Sequence, residues 1–314
     1  MEMTPVNTVN LYGVLSESQR ILKSNYWHFF ALALFFLPLS ISIVFTPTVN
    51  PHLSGHFTTD LSHKLPTNYQ NIIIFQLLYI IIVYLLALFA IGTISYSTYN
   101  VLIGKPVNYF AALKSLIFNF FPLVSTAVVA QILLFLISLA FLLSVGAIVM
   151  LGKSLGFVYD FNWTSFMWVS IALGAMLIGI LIYFQMNWCL ALTVVVAESK
   201  WGFAALRRSW CLVKGMRSVS LSLLLYYLIG NGILAWVSSK PVYDHHNSVF
   251  ITMLGSFFLM MCLLASTVAN AVLYMHCKYF HGEFALEVPD GFDYINLPVD
   301  DEKVIHVVSV VEAR

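Results

Sequence analysis

Six stretches of the chain, residues 26–46, 72–98, 121–151, 166–197, 219–238 and 249–275, contain no Asp, Glu, Lys or Arg and consist mainly of large apolar side chains. About 20 apolar residues in helical form cross the hydrocarbon core of a bilayer, so each stretch predicts a membrane span. Composition supports this. Of 314 residues 60% are hydrophobic and 9% charged, against roughly a quarter charged in soluble domains. A soluble core cannot hide that apolar surplus, because even a domain of ~300 residues leaves about a quarter of its chain surface wet. Disorder and a disulfide-stapled secreted fold are excluded by the same numbers. The formal net charge of +1 leaves no basic face for nucleic acid. The expected fold is all-α, a polytopic membrane protein of six transmembrane helices. The runs 121–151 and 166–197 outreach the core, so they must tilt or continue into the interface. Pro122 predicts a turn from an interfacial segment into the third span.

Charge placement orients these spans. Arg20 and Lys23 precede the first, and Lys105 and Lys114 lie between the second and third. Lys200, Arg207, Arg208, Lys214 and Arg217 follow the fourth, and Lys278, Lys303 and Arg314 follow the sixth. Only Lys64, Lys153 and Lys240 fall on the other side. The positive-inside rule makes the twelve-cation side cytosolic, with both termini there. Expected domains are a cytosolic N-terminal segment (1–25) with an amphipathic helix, the six-helix membrane domain (26–275) and an acidic cytosolic tail (276–314). No cleavable signal peptide is expected; the first run serves as a signal anchor. None of the four cysteines, Cys189, Cys211, Cys262 and Cys277, falls in an external loop, so no structural disulfide is expected. Cys211 and Cys277 are juxtamembrane candidates for acylation, with a buried thiol as the plainer reading.

An internal echo organises the chain further. Phe110-Ala111-Ala112-Leu113-Lys114 recurs as Phe203-Ala204-Ala205-Leu206-Arg207, and Leu22-Lys23-Ser24 echoes Leu113-Lys114-Ser115. Each copy precedes an outgoing span, predicting three pseudo-repeated hairpins, each led by a short interfacial helix. In the third such helix, Phe203, Leu206, Trp210 and Val213 are expected on one apolar face, with Lys200, Arg207, Arg208 and Lys214 on the polar side. That pattern suits a helix lying among headgroups; a plain connector is the alternative.

These same residues carry a resemblance. Glu198, then Ala204-Ala205-Leu206-Arg207-Arg208-Ser209-Trp210-x-Leu212-Val213-Lys214-Gly215, resembles the signature loop of the glycerophosphodiester phosphodiesterase membrane-domain family. Gly104-Lys105-Pro106-Val107 followed by Ala111-Ala112-Leu113-Lys114 resembles its second motif. The chain, including Val288-Pro289-Asp290-Gly291-Phe292-Asp293-Tyr294, is similar to a plant family of polytopic transmembrane proteins. The soluble phosphodiesterase barrel fused to that membrane part in some members has no counterpart in these residues. The resemblance therefore implies a membrane scaffold and does not carry over the hydrolase.

Glu198 closes the fourth span, at the end of a helix dipole that disfavours a carboxylate. An ion pair with Arg207 or Arg208 is expected, Glu198–Arg208 being the candidate, against an exposed glutamate of little consequence. Charge-free spans argue against a proton relay or voltage sensor. The polar side chains that do enter them, Gln131, Gln185, Asn187 and Asn270, are expected in the cytosolic half, as interhelical hydrogen bonds or as the lining of a groove open to the cytosol. Asn231, between Gly230 and Gly232, lies in the outer half. Ala175/Gly179 and Ala265/Ala269 have the small-residue spacing of close helix packing.

Candidate chemistry is sparse. His52 and His56 have chelating i, i+4 spacing, but Pro51 and Gly55 oppose a helix there, and the plainer reading of these residues with His63, His245 and His246 is a solvated loop. His276-Cys277-x-x-x-His281-x-Glu283 is read as interfacial anchoring in preference to a metal cluster. No nucleophile elbow, phosphate loop or paired-carboxylate motif occurs, so no cofactor and no enzymatic activity are expected. Asn162-Trp163-Thr164 is a candidate glycosylation sequon close to the fourth span. The tail beyond Met275 holds eight acidic against three basic residues. It includes a candidate sorting signal, Tyr294 to Leu297, and a candidate strand over residues 304–311 that would pair with a partner edge. The leading functional expectation is a non-catalytic scaffold or lipid-interacting protein of the endomembrane system, in the endoplasmic reticulum or secretory pathway. The alternative membrane is the plasma membrane. Membrane lipids are the expected partners, with a cytosolic protein at the tail and no nucleic acid. The alternative function is a uniporter or channel for a small neutral or lipidic solute.

Overall fold

The computed structural model describes residues 10–43, 68–105, 109–154, 163–238, 245–283, 294–296 and 307–309. His52, His56, His63, Asn162 and Leu297 lie outside them. The helices in chain order are α1 (Leu11–Ser24), α2 (Tyr26–Ile43), α3 (Asn68–Leu102), α4 (Tyr109–Ser154), α5 (Trp163–Trp188), α6 (Ala191–Glu198), α7 (Phe203–Val213), α8 (Arg217–Ser238) and α9 (His245–Phe280). Among the described residues six apolar segments are long enough to cross a membrane: Tyr26–Ile43, Ile74–Leu102, Phe120–Leu151, Met167–Glu198, Arg217–Val237 and Met253–Phe280. The protein is a polytopic integral membrane protein of the all-α class.

The bundle is centred on α9, which packs against α1, α3 and α8. More than half of its most apolar stretch is buried, whereas none of the corresponding stretches of α4 or of α5–α6 is. One continuous core runs from Phe29, Leu32 and Phe36 of α2 through Ala90 and Ile94 of α3 to Val268, Val272 and Leu273 of α9. The small residues behave differently in the two expected pairs. Ala269 is buried in that core, but Ala175 and Gly179 are exposed, and no atom lies within 4 Å of where a Gly179 Cβ would stand. The Ala175/Gly179 pair thus makes no helix contact among the described residues.

Two further expectations are corrected. Pro122 does not mark a turn: α4 runs unbroken through it, because a proline inside a membrane helix is tolerated where neighbouring groups satisfy the freed backbone. The fourth span, by contrast, breaks at Cys189–Leu190 between α5 and α6. In the tail, β1 (Tyr294–Asn296) pairs antiparallel with β2 (Val307–Ser309), with Ile295 opposite Val308. The tail strand thus pairs on one edge within the chain.

At one end of the bundle α1, α6, α7 and the C-terminal end of α9 converge. Helix α1 buries Val14, Ser18 and Ile21, spaced four and three apart, and carries an exposed Arg20–Glu17 bridge of 2.8 Å. This basic end is where most polar side-chain contacts between elements occur.

Candidate functional site

The break in the fourth span creates the local geometry. The Asn187 side-chain amide donates to the Tyr183 carbonyl at 2.7 Å, competing with the helix's own backbone ladder. Carbonyls released at the break are taken up by other elements. The Ser209 hydroxyl of α7 donates to the Asn187 carbonyl at 2.7 Å, and Ser220 of α8 donates to the Met186 carbonyl at 3.2 Å. A kink with such inserted partners leaves no bare backbone in an apolar medium. Helix α6 then ends on Ser199 in the left-handed region (φ 53°). The chain turns through Gly202, also at positive φ (62°). The Gly202 N–H donates to the Thr126 hydroxyl of α4 at 2.8 Å, and that hydroxyl itself donates to the Pro122 carbonyl at 2.8 Å. Helix α7 is thereby fastened at its start to α4 and along its length to α5.

Its third fastening is ionic. Arg208 Nε donates to Glu198 Oε1 and Oε2 at 3.1 and 3.0 Å. The other side of the same guanidinium donates from Nη1 to Glu283 Oε1 at 3.0 Å and from Nη2 to Glu283 Oε2. Lys200 Nζ (2.9 Å) and the Tyr274 hydroxyl (3.1 Å) also donate to Glu198. One arginine thus joins the end of α6 to the segment just past α9. Its planar fork suits two bidentate carboxylates, where a lysine would supply only a point charge. The hydrogen bonds to Glu283 hold the Arg208 guanidinium in its charged form, raising its pKa further, and burial opposes this. The same bonds hold the Glu283 carboxyl below the ordinary carboxylate range. Close by, Gly215 sits at φ 109°, where a Cβ would stand 2.7 Å from the Phe280 ring. The turn from α7 to α8 therefore needs glycine there.

The faces of α7 differ from expectation. Ala205, Leu206, Ser209, Leu212 and Val213 are buried against the bundle. Phe203, Arg207, Trp210 and Lys214, at steps of four, three and four, share the opposite face. Phe203 is 64% exposed, Arg207 and Lys214 are exposed, and Trp210 is half-buried. Phe203 and Trp210 were expected with Leu206 and Val213 on the apolar side, and Arg208 with the other cations on the polar side. Arg208 instead turns in between Glu198 and Glu283, while the two large aromatics stand with the free-facing cations. The Trp210 ring meets Tyr183 edge-on at 5.8 Å and lies 5.9 Å below the Arg217 guanidinium. The outward face is a mixed aromatic and cationic strip.

The four amides do not form a single layer. Gln131 of α4 and Gln185 of α5 line a cleft of about 490 Å³ bounded on its third side by α8. Asn187 is buried, with its Oδ1 lacking a hydrogen-bond partner among the described residues. Asn270 lies half-buried on α9 and is not part of the cleft lining. A common groove roofed by the interfacial helices is not what the geometry builds, because the α5–α6 break turns Asn187 toward its own helix. Asn231 Oδ1 is likewise buried without a partner among the described residues.

The remaining candidates separate. Cys211 is exposed on α7 and Cys277 is buried on α9. His281 Nδ1 lies 2.8 Å from the Cys277 carbonyl, while Glu283 is engaged with Arg208, so the His276–Glu283 segment is split between backbone and ion-pair contacts. Among the described residues no three His, Cys, Asp or Glu side chains converge as a metal site would require. Sequence reasoning did not connect Glu283, Tyr274, Thr126 or Ser209 to Glu198 and α7. The one available signal was that Glu283 is the first carboxylate after the last span.

No curated protein and no solved structure matches the chain. Residues 1–285 match a family described as "Domain of unknown function (DUF8558)", a stretch that includes all six spans and every member of the Arg208 network. The chain belongs to the DUF8558 family.

Proposed function

We propose that this protein is a non-catalytic, lipid-interacting membrane scaffold whose α7 presents a fixed aromatic and cationic strip to anionic headgroups. The observation that carries this reading is the division of labour among the α7 cations. Arg208 is consumed by Glu198 and Glu283, which locks the helix. Arg207 and Lys214 stay exposed beside Phe203 and Trp210. Aromatics at the interface with cations near anionic lipid are the combination that holds a helix in the headgroup layer. Each such cation contributes about 1 kcal/mol near an anionic surface. The positive-inside distribution of the cations supports a cytosolic side for this end and for both termini. Anionic headgroups there fit a protein of the secretory pathway. The likeness of the α7 loop to the glycerophosphodiester phosphodiesterase membrane domain fits a scaffold as well, since that domain is the membrane part of its family and not the hydrolase.

Lipid retention tests the reading. The full chain, purified from vesicles of phosphatidylcholine with phosphatidylserine, is expected to retain phosphatidylserine in native mass spectrometry. The double variant Arg207→Gln/Lys214→Gln is expected to lose most of it. Equal retention by both proteins contradicts the proposal.

A further inference from the structure

The cleft between α4, α5 and α8 has a composition that the headgroup contact does not explain. Its walls are apolar, with Phe135 of α4 and Leu224 and Leu228 of α8 among them, and no charged residue contributes. Three polar side chains interrupt them: Gln131 and Ser138 of α4 and Gln185 of α5. The Ser138 hydroxyl donates to its own helix, to the Leu134 carbonyl at 2.9 Å, and so faces the cleft as an acceptor. Gln131 is within hydrogen-bonding reach of the Tyr84 hydroxyl of α3. Gln185 has no side-chain hydrogen bond to another described residue, and both glutamines are exposed to the cleft.

Depth makes this arrangement informative. Gln131 stands five residues past Thr126, which takes the Gly202 N–H at the start of α7, and Gln185 two residues before Asn187, whose carbonyl takes the Ser209 hydroxyl of α7. Both therefore stand at the α7 end of the cleft, just inside the layer that α7 is proposed to occupy, with Ser138 and Leu228 deeper. An amide left bare in hydrocarbon costs roughly 2–7 kcal/mol. Gln185, without a partner among the described residues, and Gln131, shared with Tyr84, face one lateral cleft and call for an occupant that both donates and accepts hydrogen bonds and is otherwise apolar. The lining itself offers no counter-charge for a phosphate, so it suits an uncharged polar group better. The cleft volume falls within the range of sites for single small ligands, about 300–1,000 Å³.

We propose that this cleft binds a neutral lipid bearing a hydroxyl or amide group, of the sterol, ceramide or diacylglycerol kind. Its polar group meets Gln131, Gln185 and the Ser138 oxygen, and its hydrocarbon body lies along Phe135, Leu224 and Leu228. This goes beyond the headgroup contact at α7 and stands without it.

Photolabelling tests the site on the full chain in phosphatidylcholine nanodiscs. Separate diazirine-bearing probes, a sterol, a ceramide, a diacylglycerol and a phosphatidylcholine, are crosslinked and mapped by peptide mass spectrometry. One or more neutral probes is expected to label the cleft walls in preference to the outer face of α3, with competition by the unlabelled parent lipid. Which probe does so names the source of the hydroxyl or amide. Gln131→Leu/Gln185→Leu should reduce that labelling about tenfold, the equivalent of two lost hydrogen bonds of ~0.7 kcal/mol each. Leu228→Trp, which fills the cleft and spares both amides, should reduce it as well. Arg207→Gln/Lys214→Gln should leave it unchanged, which separates this site from the headgroup strip. Three results overturn the proposal: uniform labelling of all outward faces, equal cleft labelling by the phosphatidylcholine probe, or crosslinking of the cleft to a second copy of the chain.

Discussion

Arg208 is the residue on which the basic end depends. Removing its side chain leaves Glu198, whose side chain is 10% exposed, facing only Lys200 and Tyr274. Hydrogen bonds to charged groups contribute ≈ 1.5–3 kcal/mol each, so Arg208→Gln is expected to lower stability in detergent by roughly 2–3 kcal/mol, read as an earlier melt. Adding Glu198→Gln should recover part of the loss, because the two substitutions remove one shared interaction; strict additivity would show that the pair is not coupled. Acid should act on the same contact through Glu283. Its folded pKa is depressed by Arg208, so the contribution is complete above the unfolded carboxylate range and disappears as pH falls through the lower folded value. A melting profile against pH should therefore decline on the acid side more steeply in the wild type than in Glu283→Gln. Identical profiles would remove Glu283 from the account. That Glu198 faces a cation was readable from its place at a helix end, with Arg208 the candidate, but the reason that Arg208 and not Arg207 turns inward was not. Arg207 and Arg208 are adjacent, and only the burial of Ala205, Ser209 and Leu212, weak apolar signals all, decides which of the two turns inward. Large aromatics drew the expected apolar face toward Phe203 and Trp210, yet at a membrane interface those rings favour the outward side.

At the scale of elements, the broken fourth span is the feature that lets α7 dock. Its cause is non-local: Ser209 and Ser220 come from α7 and α8 to take the carbonyls of Asn187 and Met186. A charge-free run from 166 to 197 reads as one continuous helix because nothing within the run announces the break. The outer limits of the spans were legible for the opposite reason. Charges bound each run closely, so residues 121–151 of the sequence reading and Phe120–Leu151 of the structure nearly coincide. Ser209→Ala and Ser220→Ala each leave a buried carbonyl short of a donor, and each should cost about 1–3 kcal/mol, measured by thermal unfolding. Substitution of the exposed Ser222, whose hydroxyl bonds only within its own helix, should cost far less. If all three behave alike, the bridging hydroxyls do not hold the break.

At the scale of the whole molecule, the core is gathered on α2, α3 and α9, while α4 and α5 stand at the periphery. This arrangement separates a packed half that maintains the fold from an outer half whose apolar side chains stay exposed around the glutamine-lined cleft. Helix α7 sits across the junction at the basic end, tied to α4 by Thr126, to α5 by Ser209 and to the α9 end by Arg208. A helix so fixed has little freedom to move, so the proposed headgroup contact requires an outward strip that already matches that layer. The most direct measurement is the melting temperature of the full chain in nanodiscs of phosphatidylcholine alone and with phosphatidylserine. The wild type should melt higher when phosphatidylserine is present. Arg207→Gln/Lys214→Gln should match the wild type in neutral lipid and show no such rise. An equal rise in both proteins would contradict the assignment of α7 as the anionic-lipid contact.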